Sequence, residues 1–340
     1  MSALADGRPV RWGVMGTANI AAAAVMPAIR ATDGCEIAAV ASRDGERARR
    51  FAEDHGVAGA HGSYDALLAD DEIDAVYVPL PNALHREWAI RAAEAGKHVL
   101  CEKPLALNAA ECIEMQAAAD RAGVVLMEAF MYRFHPRIEA LIRHVAGGAI
   151  GEAATIDATF TFRVKNPKNI RLSPDLGGGS LMDVGCYCVN FARTVFGAEP
   201  THASAVTVET PTGVDGRLHG YLEFPGGRVA HLTSSLLDER REYCVVGGTE
   251  GHLTVADTFL PGTAPTEIVH FAGRSEVDRL RFGGVDEYQL MVSHFADCVR
   301  AGTAPRYTAG DAAATLRAIA ALRESAAGAG TPVAVQQENT

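Results

Sequence analysis

The sequence predicts an α/β chain: an N-terminal Rossmann-type doubly wound parallel sheet, then an α+β domain with a large, predominantly antiparallel sheet. Three observations carry this. Short apolar runs alternate with helix-period segments from Val10 to Met127, the pattern of successive βαβ units. A glycine turn, Gly16-Thr17-Ala18-Asn19-Ile20, follows the first run and opens a helix, where helix N-termini in such sheets receive phosphates. From Thr155 onward the apolar period switches to two, and strand follows strand.

In chain order, Val10 to Met15 reads as a buried strand and Ala21 to Arg30 as an Ala-rich helix, with Pro27 predicting a kink or late break. Ile37 to Ala41 is the second strand and Asp44 to His55 a charged helix, with Asp44 as its N-cap. Asp74 to Pro79 and His98 to Cys101 read as strands around a helix from Asn82 to Ala95, with Asn82 as N-cap. A helix from Asn108 to Ala122 and a strand from Val124 to Met127 close the parallel domain. Arg133 to Val145 carries a helix-period stripe. Thr155 to Phe162 alternates strictly, with Ile156, Ala158, Phe160 and Phe162 on one face. An apolar helix is predicted from Ser180 to Phe196. Then come strands at 203–209 and 217–224, the latter joined to 228–236 by Pro225-Gly226-Gly227, and further strands at 242–246 and 251–255. Helices at 287–299 and 312–326 and a short strand at 333–335 end the pattern, with fraying expected around Asn339.

At 340 residues two domains are expected, divided here as 1–128 for dinucleotide binding and 129–340 for substrate binding and oligomerisation. Hydrophobic residues are 48% and charged residues 21%, an ordinary globular composition. The formal net charge of −11 argues against a nucleic-acid partner. No apolar run reaches the roughly 20 residues of a membrane span, and Asp6, Arg8 and Arg11 precede any apolar stretch, which predicts no signal peptide. Seven scattered cysteines, with Cys186 and Cys188 one residue apart, suit neither disulfides nor the common zinc spacings. Free thiols, a cytoplasmic location and no metal are the expectation.

Certain residue types stand where such sheets do chemistry. Against G-x-G-x-x-G the first turn reads Gly16-x-Ala18-x-x-Ala21. Alanine is acceptable at the second position if the backbone there needs no positive φ. At the end of the second strand, Ser42 offers a hydroxyl and Arg43 a guanidinium, a choice that favours NADP and leaves NAD possible. Pro79, Leu80, Pro81 and Asn82 shape the loop after the third long strand, and His85 lies in the first turn beyond it. Glu102-Lys103-Pro104 ends the His98–Cys101 strand, placing an ammonium beside a carboxylate where open α/β sheets bind ligands. In the second half, Arg163, Lys165, Lys168 and Arg171 make a basic loop, from which Arg163 or Lys165 would meet sugar hydroxyls or a phosphate. Asp183 and Tyr187, at i and i+4 in an apolar helix, demand polar partners or a crevice.

Together with Glu128-Ala129-Phe130-Met131-Tyr132-Arg133-Phe134-His135-Pro136 and Gly177-Gly178-Gly179-Ser180-Leu181-Met182-Asp183-Val184-Gly185-Cys186-Tyr187, these motifs resemble the glucose-fructose oxidoreductase, inositol dehydrogenase and rhizopine-catabolism (Gfo/Idh/MocA) family. The resemblance implies an active-site lysine at Lys103 beside nicotinamide and substrate, with Asp183 and Tyr187 facing the substrate. Tyrosine rather than histidine at 187 is similar to sugar and dihydrodiol dehydrogenase members. It implies a cofactor site at Gly16, Thr17, Ala18, Asn19, Ile20, Ser42, Arg43, Pro79, Leu80, Asn82, His85, Glu102 and Lys103. Substrate contacts are implied at Lys103, Arg133, Arg163, Asp183 and Tyr187. The implied activity is NADP-dependent hydride transfer on a sugar-like hydroxyl or carbonyl, by a homodimer or homotetramer built through the C-terminal sheet. A trans-dihydrodiol dehydrogenase and an NAD-dependent glycosidase of the same fold are the alternatives. Which of Lys103 and Tyr187 moves the proton stays open.

Overall fold

The structure, a computed structural model, describes residues 8–337; the fraying expected at Asn339 lies outside them. The chain divides into two compact units. One comprises the residues up to Met131 together with Asp286–Ala313, the other Tyr132–Val285 together with the residues from Ala314 on.

The first unit runs β1 (Val10–Met15), α1 (Met26–Ala31), β2 (Cys35–Ala41), α2 (Gly45–Asp54), β3 (Gly59–His61), α3 (Tyr64–Leu68), β4 (Ala75–Val78), α4 (His85–Glu94), β5 (His98–Glu102), α5 (Ala109–Ala122) and β6 (Leu126–Ala129). The six strands are parallel, in the order β3-β2-β1-β4-β5-β6. Chain order therefore reverses between β1 and β4, and the crevice outside their carboxyl ends is where such sheets bind ligands. β4 is buried at every position, as expected of a strand covered on both faces. β3 and α3 were not foreseen; both are too short for a periodic signal.

Three local departures have physical causes. The first helix opens as a π turn, Ala21–Val25, before α1 begins with Pro27 in its first turn. Proline has no N–H to give, so it is accommodated where the ladder restarts rather than by a break. Asp44 caps α2 as expected, accepting from Glu46 N and Arg47 N at 3.0 and 3.1 Å. Asn82 is not the predicted N-cap: it opens a 3₁₀ turn, Asn82–Leu84, behind Pro81, and α4 starts only at His85.

The second unit begins with α6 (Pro136–Ala146) and β7 (Ala153–Thr161), continues through α7 (Cys186–Phe196), and then lays down β8 (His202–Glu209), β9 (Asp215–Phe224), β10 (Arg228–Ser235), β11 (Arg241–Gly248), β12 (His252–Ala256), β13 (Thr266–Ala272) and β14 (Ser275–Phe282). After α8 (Glu287–Ala301) and α9 (Ala309–Ala327), β15 (Val333–Ala334) completes a nine-stranded sheet ordered β14-β13-β12-β11-β7-β10-β9-β8-β15. Its pairs are antiparallel except β7 with β10. The predicted alternation in β7 holds at Ile156, Ala158 and Phe160, all at most 3% exposed, while Thr159 and Thr161 on the other face are buried as well. α7 packs on β7 and β10. β13 and β14 were missed because β14, exposed or half-buried along its whole length, buries neither face. No helix among the described residues is long and apolar enough to cross a membrane.

One segment departs from the division at 128/129. α8 belongs to the first unit, because Phe295 packs on Trp12 with ring centroids 5.1 Å apart. Arg300 also donates to the carbonyls of Asp33 and Gly34 at 2.9 and 2.7 Å. These are long-range contacts that no local pattern announces.

Candidate active site

The first βα turn is built for close approach. Gly16 has φ +109°, which side-chain-bearing residues rarely adopt, and a Cβ there would lie 3.3 Å from Leu80 Cδ2. Leu80 of the Pro-Leu-Pro loop is thus packed on the turn. Ala18 shows no positive φ, which explains why alanine replaces the second fingerprint glycine; its carbonyl accepts from Ala21 N at 3.1 Å and starts the helix. Thr17 and Asn19 line a groove of about 550 Å³ with Asp44, Arg47, Arg50 and Phe51.

At the end of β2 the charges sort themselves. Ser42 is buried, its hydroxyl accepting from Asp44 N at 3.3 Å. Arg49 and Arg50 both pair with Glu46, and Arg49 also with Glu53. Among the described residues neither Arg43 nor Arg47 has a carboxylate partner. Two exposed guanidiniums therefore stay available beside the glycine turn for a dianion. Arg47 was missed by the sequence reading, where it looked like one more charge on a surface helix.

Lys103 stands on a turn held from three sides. Its peptide bond to Pro104 is cis. Tyr77 Oη, wholly buried, donates to Glu102 Oε1 at 2.6 Å, and burial pushes this phenol well above its usual range. Glu128, 6% exposed on neighbouring β6, accepts the Leu105 N–H at 2.8 Å. The His85 ring lies 2.8 Å from the Leu80 carbonyl through Nε2 and 3.0 Å from the Pro104 carbonyl through Nδ1. His85 is fully buried, and burial lowers its pKa although those carbonyls pull the other way. It ties the Pro79–Pro81 loop to the lysine turn. Glu128 was also missed as a site residue, its buried carboxylate inside an apolar strand being the available signal.

In the second unit the helix carrying Asp183 and Tyr187 begins as a π turn, Leu181–Gly185, and becomes α7 at Cys186. The α-helical spacing rule therefore does not describe this pair; π segments are frequent at functional sites. Asp183 is ion-paired with Arg171, Nε to Oδ2 at 2.6 Å, and the Arg171 guanidinium lies over the Phe162 ring at 5.6 Å. Arg171 also accepts the Gly179 N–H through its carbonyl at 2.9 Å. Gly179 has φ +113°, and a Cβ there would collide with Asp215. Asp215 accepts from Leu181 N and Ser180 Oγ at 2.6 and 2.8 Å, fixing the start of the π turn. Tyr187, 4% exposed, sits among Tyr132, Phe160 and Phe259 at centroid distances of 5.8, 5.4 and 5.3 Å. Behind it, Tyr132 Oη donates to Asn190 Oδ1 at 2.6 Å, and Asn190 Nδ2 to Thr315 Oγ1 at 3.1 Å.

The cations of the basic loop differ in their surroundings. Arg163 and Lys165 are exposed, whereas Arg171, its last cation, grips Asp183. Arg133 is buried at 6% exposure in a 3₁₀ turn, Met131–Phe134.

Comparison with known proteins agrees with this geometry. The family description "Oxidoreductase family, NAD-binding Rossmann fold" matches residues 10–130, and "GFO/IDH/MocA C-terminal domain" matches residues 138–254. D-xylose 1-dehydrogenase (NADP(+)) 2 of Haloferax volcanii is 42% identical over 318 residues, covering 93% of this chain and 97% of that protein. A trans-1,2-dihydrobenzene-1,2-diol dehydrogenase of Xenopus tropicalis is 35% identical over 76% of this chain and 78% of its own. The crystal structure of a 3-ketoreductase from Actinomadura kijaniata, in complex with NADP and TDP-benzene, superposes with a TM-score of 0.89 at 33% identity, covering 94% and 98%. The chain belongs to the Gfo/Idh/MocA oxidoreductase family.

Proposed function

We propose that the protein is an NADP-dependent oxidoreductase that interconverts a hydroxyl and a carbonyl carbon on a sugar-like substrate. The observation that carries the reading is the turn after β1: Gly16 in a conformation that side-chain-bearing residues rarely adopt, beside two guanidiniums, Arg43 and Arg47, that have no carboxylate partner among the described residues. These residues fit a dinucleotide with a 2′-phosphate, and relatives named for NADP support the choice over NAD. The chemistry a bound nicotinamide supplies is hydride acceptance or donation. What the chain supplies is binding and proton handling. Gly16, Thr17 and Asn19 would receive the pyrophosphate, and Arg43 the 2′-phosphate, in the roles predicted for them. Tyr187 would exchange the hydroxyl proton, Lys103 would orient the reacting oxygen by its charge, and Asp183, ion-paired with Arg171, would accept from a neighbouring hydroxyl.

The deciding experiment scans aldoses, keto-sugars and cyclic diols with NADP and NAD, following absorbance of the reduced cofactor. Lys103→Ala and Tyr187→Phe should each slow the chemical step by at least about a hundredfold; wild-type turnover in either removes that residue from the mechanism. A second reading, trans-dihydrodiol dehydrogenation, draws on the aromatic side chains around Tyr187 and wins if the cyclic diols outpace every sugar. Net cofactor reduction during turnover excludes a glycosidase that recycles its nicotinamide.

We further place the protein in the cytoplasm as a homodimer or homotetramer joined through the nine-stranded sheet. Val206 and Val208 on β8, exposed apolar residues in neighbouring positions of one strand face, support this, and Tyr243 on β11 is exposed in the same row of the sheet. Sedimentation of a Val206→Asp, Tyr243→Asp variant as a monomer would bear it out.

A further inference from the structure

We infer that Glu242 is a positioning residue for Tyr187: through the loop after β12 it holds the Phe259 ring against the tyrosine and fixes the direction of its hydroxyl. The inference rests on the reading of Tyr187 as the proton-exchanging group. Buried positions alternate along β11, and Glu242 takes one of them, in line with Cys244 and Val246. A carboxylate there, its side chain 1% exposed, costs free energy unless hydrogen bonds replace its water. They do. Oε1 accepts the backbone N–H groups of Phe259 and Leu260, both at 2.5 Å, and Oε2 pairs with Arg240 at 2.7 Å. The Glu242 carbonyl also accepts from Asp257 N at 3.0 Å.

The same loop is gripped through its carbonyls. Arg137 of α6, 1% exposed, donates from Nη1 to the Ala256 carbonyl at 3.1 Å and from Nη2 to that of Asp257. Thr258 Oγ1 donates to the Val255 carbonyl at 2.8 Å. Asp257 has φ +42°, a conformation that a side-chain-bearing residue keeps where its surroundings impose it. Two buried charges, one on N–H groups and one on carbonyls, thus define the path from Ala256 to Leu260. Packed apolar side chains would fill that space without desolvating charges; what the charges add is a fixed backbone. The residue it delivers is Phe259, fully buried. Its ring stacks on Phe160 at 5.6 Å and 14°, meets Tyr132 edge-on at 5.3 Å and 85°, and lies 5.3 Å from Tyr187. Tyr132 and Phe160 touch Tyr187 as well, so Phe259 braces both of these neighbours together with the tyrosine itself.

The test follows Tyr187 directly. The chain has eight tyrosines; in protein labelled with 3-fluorotyrosine, the Tyr187 fluorine resonance is the one lost in Tyr187→Phe. Glu242→Leu strips both N–H groups of their acceptor, and Phe259→Leu removes the ring. Each should shift and broaden the Tyr187 resonance, whereas Glu242→Gln, which keeps an oxygen for both N–H groups, should leave it near its wild-type position. With the fastest substrate of the aldose, keto-sugar and cyclic-diol panel, each leucine variant should lower kcat about tenfold or more, within the reach of a misplacement of about 1 Å. KM should stay within about twofold, and glutamine should keep most of the rate. In a Tyr187→Phe background, Glu242→Leu should lower kcat no further. An unmoved Tyr187 resonance in either leucine variant overturns the inference, as does a moved resonance with unchanged kcat. So does a loss that glutamine shares with leucine, or one that persists undiminished without the Tyr187 hydroxyl, because a general structural role would then suffice. If circular dichroism shows Glu242→Leu unfolded, Phe259→Leu decides alone. If Tyr187→Phe itself turns over like wild type, it is the proton-exchange reading of Tyr187 that has failed.

Discussion

His85→Ala removes a side chain that joins the Pro79–Pro81 loop to the lysine turn. The ring is fully buried, 2.8 Å from one carbonyl and 3.0 Å from the other. A neutral imidazole has one N–H, so it fully serves one carbonyl and touches the second. Losing a buried partner costs about 1–3 kcal/mol, and the ring-sized cavity adds roughly 1–2 kcal/mol, less than the cost of a lost phenyl group. The sum is about 2–5 kcal/mol. The assay is urea unfolding followed by tryptophan fluorescence, because Trp12 and Trp88 are the chain's two tryptophans and both lie in the first unit. His85→Asn restores one amide donor and should recover part of the loss. A destabilisation under about 1 kcal/mol, or equal losses in both variants, would refute the strut. If the strut also sets the lysine, turnover should fall in His85→Ala at urea concentrations where the protein stays folded.

Three further outcomes are expected. Gly16→Ala forces a Cβ into φ +109° against Leu80, costing about 1–3 kcal/mol and weakening 2′,5′-ADP binding by calorimetry. Arg171→Met removes the ion pair to Asp183; a charged hydrogen bond is worth about 1.5–3 kcal/mol, reduced to about 1–2 kcal/mol because Arg171 is 38% exposed. kcat/KM should drop about tenfold, while affinity for 2′,5′-ADP holds. His98, whose Nδ1 accepts from Val125 N at 2.9 Å, is pushed by burial down to about 4. Its folded pKa lies below the unfolded value of roughly 6.5, so between these pH values the unfolded chain binds the extra proton. Stability is therefore full above about pH 6.5 and falls toward pH 4, by up to about 3 kcal/mol from this residue; urea unfolding of His98→Asn should show a smaller drop from pH 7 to pH 5 than wild type.

The parallel sheet was legible because its strands are self-announcing. β4 and the Val99–Cys101 centre of β5 are continuous apolar runs, and each strand is followed by a helix with a polar face. What escaped has a common cause: the signal is non-local or too short. β3 has three residues and α3 five, below any usable period. α8 reads as an amphipathic helix, but its sequence does not say that its apolar face meets Trp12 rather than the sheet of the second unit. The π turns at Ala21–Val25 and Leu181–Gly185 look α-helical in sequence, because composition sets helicity and not the number of residues per turn.

The site divides along the same line. Residues proposed to carry the chemistry, Lys103 at a strand end or Asp183 within an apolar helix, are conspicuous as polar groups in apolar surroundings. The residues that orient them are inconspicuous. Arg171 is one of four basic residues in nine; it differs from Arg163 only because the loop's last 3₁₀ turns, held by Asn169 and by the Gly179 N–H, return it to Asp183. Arg43 and Arg47 differ from Arg49 and Arg50 only by subtraction, since Glu46 and Glu53 sit at the helical spacings that engage the latter pair. Spacing alone does not make the separation, because Asp44 stands three residues before Arg47 and Glu46 three after Arg43; in the structure Asp44 instead accepts from Glu46 N and Arg47 N as the cap of α2.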